Sequence, residues 1–209
     1  MTQVSKKRSQ IAYILAFPVV LTIGIILIPV VTDYTDHSLA EQAVGQTGRW
    51  FLGHIIAAVG FALSIPAVTS IDRHLQLTLR SLPVVTIPCI TIGAGLYAAG
   101  LGADGIGPLA VLSAGYSPVI FFDGSALWVP ATFAAGTVVF AIGLFSLVGG
   151  SIQQGLLQGW SRYISFISAL VFVSAPMIPS GWGLYGVAAA AFGIFVPFAL
   201  AVANHQENK

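Results

Sequence analysis

Six stretches of this chain are apolar enough and long enough to cross a bilayer, and that leaves few folds open. They cover approximately 11–31, 50–71, 82–101, 126–148, 163–179 and 181–203. A helix rises 1.5 Å per residue, so about 20 residues cross about 30 Å of hydrocarbon. In lipid every backbone N–H and C=O must find a partner within the protein, and a helix provides these within one segment. The expected fold is all-α: one integral membrane domain over 1–209, a bundle of about six transmembrane helices. Pro176, Pro179 and Gly181 leave almost no loop between the last two segments, so a tight turn is expected there.

Composition supports lipid rather than water as the solvent. Apolar residues make up 56% and charged residues 7% of the chain, against about 25% charged in a soluble domain. A net charge of +1 argues against a nucleic-acid partner, which needs a concentrated basic face. The single cysteine, Cys89, cannot form a disulfide within the chain and reads as a small buried apolar residue. The first apolar run follows Lys6-Lys7-Arg8. It is longer than a signal-peptide core and no small-x-small cleavage site follows, so it reads as a retained first span.

Lysine and arginine set the expected orientation. With the N-terminus inside, Lys6, Lys7, Arg8, Arg73, Arg80, Arg162 and Lys209 fall on the inner side and only Arg49 on the outer. That bias predicts an inner-membrane protein with both termini cytoplasmic. Asp33, Asp36, Glu41, Asp104 and Asp123 fall outside in this segmentation, and Trp50, Trp128 and Trp182 mark outer span ends. The first outer loop, 32–49, is polar. The second, 102–125, carries Ile106, Leu109, Phe121 and Phe122. Exposing such a segment to water is costly, so it is expected to pack over the bundle as a lid or to re-enter it.

His54 is the one ionisable side chain that this segmentation places clearly within a span. Such residues are functional-site candidates, although a histidine one turn below Arg49 and Trp50 can also serve as an interfacial anchor. Trp50, His54, Tyr97, Phe121 and Phe122 are the candidates to face a ligand. Thr86, Cys89, Gly93, Tyr97 and Gly100 share one helical face, which predicts close packing against another helix. Pro18, Pro66, Pro88 and Pro197 fall inside spans, where each leaves a carbonyl to be satisfied by a neighbour. Gly181-Trp182-Gly183-Leu184-Tyr185-Gly186 matches the glycine string of dinucleotide sites. It lacks the strand and βαβ unit that motif requires, so helix packing is the expected role.

Asp33 and His37 stand four positions apart, one helical turn if that segment is helical. Were the loop to fold back, Asp33, His37 and His54 would offer a carboxylate and two imidazoles, a set suited to copper or zinc. This Asp-x-x-x-His element followed by a histidine in a span resembles the metal site in the C subunit of copper membrane monooxygenases. The sixteen residues between His37 and His54 are more than that pattern has. Other chemistries lack parts. Bis-histidine haem needs a second intramembrane histidine, and a serine protease needs a serine near its base. A proton-coupled transporter usually carries a buried carboxylate, and none of the six segments contains one.

The overall layout resembles a family of uncharacterised six-span bacterial membrane proteins. The likeness lies in the basic N-terminus, the long outer loop before the second span and the stretch from Gly149 to Arg162 leading into the fifth. That resemblance implies a fold and no activity. The expected function is non-enzymatic: an accessory subunit of a membrane complex, or a binder of a lipid-like or small apolar ligand between helices. The alternatives are a metal-site protein or oxidase subunit using Asp33, His37 and His54, and a small-molecule-binding transporter component similar to the six-helix vitamin-capture subunits.

Overall fold

The computed structural model describes residues 3–77, 80–124 and 127–204. The expected ends of the second outer loop at 125 and the start of the fourth span at 126 lie outside these residues, as does Lys209. Among the described residues eight α-helices follow one another: α1 Gln3–Leu27, α2 His37–Val44, α3 Thr47–Gln76, α4 Thr86–Ser113, α5 Val119–Gly124, α6 Trp128–Gln153, α7 Trp160–Ser174 and α8 Trp182–Asn204. A single 3-10 turn, Ala175–Met177, extends α7. No strand occurs among the described residues.

Five helices, α1, α3, α4, α6 and α8, are long and apolar enough to cross a membrane. The chain is an all-α, multi-pass membrane protein. The fifth expected span departs from the other five. Its helix, α7, has 15 residues, about 22 Å at 1.5 Å per residue, short of the roughly 30 Å of hydrocarbon. Pro176, the second residue of the 3-10 turn, has no N–H with which to continue the helix.

The six long elements close into a ring. α1 packs on α3, α3 on α4, α4 on α6, α6 on α7, α7 on α8, and α8 back on α1; the α6–α7 seam is the thinnest. Close approach between neighbours depends on missing side chains: a Cβ on Gly93 would lie 2.6 Å from the backbone nitrogen of Phe140, so α4 and α6 meet backbone to backbone. This is the face on which Thr86 and Tyr97 also pair across to α6, through Ser146 and Thr137.

Helix continuity runs beyond the apolar segments. α3 continues through Asp72 to Gln76 and α4 through Asp104 and Pro108 to Ser113. The first half of the expected second outer loop, 102–113, is therefore the end of α4. Pro88 falls in the first turn of α4, while Pro108 lies inside it. At one end of the ring α2 and α5 form a cap. His37 pairs with Asp123 at 2.7 Å, and Ser117 donates to Glu41 at 2.8 Å. Phe121 covers Gly107 on α4, and Phe122 lies edge-on to Trp50. The opposite end holds the α3–α4 turn, where Asp72 accepts from the Leu82 backbone N–H at 3.0 Å and from Gln76 at 2.7 Å.

Candidate functional site

From mid-depth to the end opposite the cap, the ring is solid. Phe17, Phe61, Phe140, Phe172 and Phe195 meet at its axis with ring centroids 4.9–6.4 Å apart. Toward the cap the same helices separate and enclose a cavity of about 690 Å³. Phe61 and Tyr97 line it, stacked with centroids 4.1 Å apart and planes 12° from parallel. The Tyr97 hydroxyl is engaged by Thr137 at 2.7 Å, so the aromatic pair is held in place.

The walls are mostly apolar: Leu21 and Ile25 from α1, Leu101 from α4, Phe133 and Ala134 from α6, Leu184 and Val187 from α8. On α6, Pro130, Ala134 and Val138 both line the cavity and are exposed, as is Met177 on the facing 3-10 turn. The cavity thus reaches the lateral surface between α6 and the end of α7. The short α7 accounts for this gap, because no helix covers α6 above Ser174.

The polar groups gather at the cap. His54 on α3 is buried, and both its ring nitrogens are engaged. Nδ1 lies 2.7 Å from the Trp50 carbonyl oxygen and Nε2 lies 3.2 Å from Asp104 Oδ2. Trp50 in turn donates its indole N–H to the Asp104 carbonyl at 2.9 Å, which ties α3 to α4 at this level. Gly105 makes the approach possible: a Cβ there would sit 2.6 Å from the His54 Cβ. Tyr34, His37 and Phe122 complete this end of the lining. Tyr34 is 43% exposed over its whole surface. Its phenol is nonetheless pushed up to about 12, by burial first and then by the charge of nearby Asp104.

Of the residues expected to face a ligand, Trp50, His54, Tyr97 and Phe122 line the cavity, and Phe121 does not; its ring is spent on covering Gly107. The set proposed for copper or zinc is not assembled. Asp33 precedes α2, and Asp36 between them is extended as the helix N-cap, so Asp33 and His37 never share a helical face. Asp33 folds back on Thr35, whose hydroxyl and N–H hold its carboxyl below the usual range. His37 turns to Asp123, and His54 to Trp50 and Asp104. Among the described residues no group of three His, Cys, Asp or Glu side chains is placed to hold a metal ion. The partner that sequence reading missed is Asp104. Hydropathy segmentation puts it in a loop, and nothing in the local sequence pairs it with a residue fifty positions away. No known protein family, no curated protein and no solved structure matches the chain, so the functional reading rests on this site alone.

Proposed function

We propose that this protein is a non-enzymatic membrane component that takes a small or lipid-like, mostly apolar molecule into the capped cavity from the side. The observation that carries the reading is a cavity of about 690 Å³, within the usual size range for ligand sites, with apolar walls and a few convergent polar groups at one end. Apolar ligands partition into the bilayer first, and the gap between α6 and α7 faces that reservoir. The reading covers both a stand-alone binder and the binding component of a larger transporter or membrane assembly. In the proposed orientation the protein sits in the inner membrane with both termini cytoplasmic and the cap outside, supported by the lysine and arginine bias of the sequence.

Filling the gap tests the reading. Ala134→Trp places an indole where the cavity meets the lateral surface. Native mass spectrometry after gentle extraction is expected to show a co-purifying amphiphile on the parent protein and none on the variant. Parent protein that is bare and binds no alkyl-chain probe overturns the proposal. For orientation, single cysteines at Ser5 and Ser38, introduced after replacing Cys89, are probed in intact cells with an impermeant thiol reagent. Labelling at Ser38 alone is expected; labelling at Ser5 alone inverts the assignment.

A further inference from the structure

We infer that the ligand carries a positive charge on its polar end, and that this charge is received by the Asp104 carboxylate beside His54. The inference rests on the cavity reading above and adds the chemical class of the occupant, an amphiphilic cation such as a lipophilic amine or quaternary ammonium.

The first argument is the hydrogen-bond balance at His54. Both of its ring nitrogens face acceptors: the Trp50 carbonyl at 2.7 Å and the Asp104 carboxylate at 3.2 Å. A neutral imidazole has one N–H and cannot donate twice. A neutral His54 therefore leaves one of these acceptors without a donor, and a cation entering the cavity can make up for that at Asp104.

The second argument is what surrounds that carboxylate. Among the described residues the cavity lining contains no lysine or arginine, and Asp104 is its one carboxylate. Arg49, the basic residue near the cap, is turned to Gln46 and does not line the cavity. Trp50 and Tyr34 place aromatic rings near Asp104, and a carboxylate with aromatic faces is the arrangement that holds alkylammonium groups. Asp33, Asp36, Glu41 and Asp123 lie at the capped end, so the field there favours an approaching cation.

The third argument is what else faces the pair. The other titratable groups facing this pair are few. Tyr34 comes from the α1–α2 connection, His37 from α2 is paired with Asp123 of α5, Tyr97 lies on α4 and Tyr185 on α8. α1 and α6 present no titratable side chain to the cavity.

The test uses full-length protein in lipid nanodiscs with Trp50 as the only tryptophan, the exposed Trp128, Trp160 and Trp182 being replaced by phenylalanine. Saturable changes in Trp50 emission are recorded with octyltrimethylammonium and with octanol, empty nanodiscs serving as blank. The expected result is at least tenfold tighter binding of the cation than of octanol. Asp104→Asn is expected to abolish the preference while octanol still binds, and Asp104→Glu to keep it. Equal binding of the two probes, or an undiminished preference in Asp104→Asn, overturns the inference and leaves the cavity reading standing. Binding of neither probe overturns the cavity reading itself.

Discussion

Below mid-depth five phenylalanines close the axis of the ring; above it the same six elements surround about 690 Å³ of space. The lower region is an ordinary close-packed interior. Ile14, Phe17, Leu147 and Phe198 are at most 1% exposed there, and their neighbours interlock with little tolerance for lost volume. The upper region differs in two ways. α7 ends at Ser174, so the wall is one helix short, and its polar groups are held by one another rather than by water. Trp50, His54 and Asp104 form a connected set across α3 and α4. The contrast teaches that emptiness in a membrane bundle need not come from small side chains. Shortening one helix opens a side entrance, while the polar network ties α3 to α4 on the far wall.

Several substitutions would sharpen or break this contrast. The largest effect is expected from Phe17→Ala in the packed region, about 3–5 kcal/mol of stability from lost contacts and the cavity left behind. Phe133→Ala in the hollow region should cost only about 1 kcal/mol, because that ring already borders open space. Thermal or denaturant unfolding in detergent measures both, and equal losses would mean the two regions are packed alike. Next is Gly105→Ala. Its Cβ would collide with the His54 Cβ, so α4 must shift, at a cost of about 1–3 kcal/mol. Octanol binding should weaken in parallel, and an unaffected protein would show that α3 and α4 are loosely apposed there.

Trp50→Phe comes third. It keeps an aromatic ring but loses part of the indole and the N–H that reaches the Asp104 carbonyl, the hydrogen bond alone accounting for about 0.5–1.5 kcal/mol in unfolding measurements. A loss no larger than that of Trp128→Phe at an exposed position would remove the tie between the two helices. The smallest effect is at the cap. Asp36 is the N-cap of α2, and its carboxyl is held below the usual range chiefly by the Ser38 hydroxyl and backbone N–H. A depressed carboxylate contributes stability above its ordinary range and loses it as pH falls through the folded value. Amide exchange over 37–44 should therefore accelerate below about pH 4 while amides around Phe17 stay protected. Acceleration in both would show that cap and core open together.

How much of this was legible follows from what each signal measures. Hydropathy reports which residues can lie in hydrocarbon, and that was enough for an all-α membrane bundle with six apolar segments, since lipid leaves the backbone almost no other way to satisfy its donors. It also singled out His54 as the polar side chain to watch. Hydropathy does not report where a helix stops. α3 and α4 run on through Asp72 and Asp104 because backbone bonding and packing continue past the apolar stretch, while α7 stops short of the bilayer's width. Asp33, His37 and His54 lie apart for a related reason. Spacing places Asp33 and His37 together only if the segment is helical throughout, and Asp36 breaks it there as an N-cap. The sequence by itself determined the solvent, the helices and the scarcity of charge. Only the tertiary structure decided that Asp104 meets His54 across fifty residues, that Trp50 and Gly105 hold them together, and that a missing turn of helix leaves the cavity open at the side. Those are contacts between elements far apart in the chain, and local composition carries no record of which elements will be neighbours.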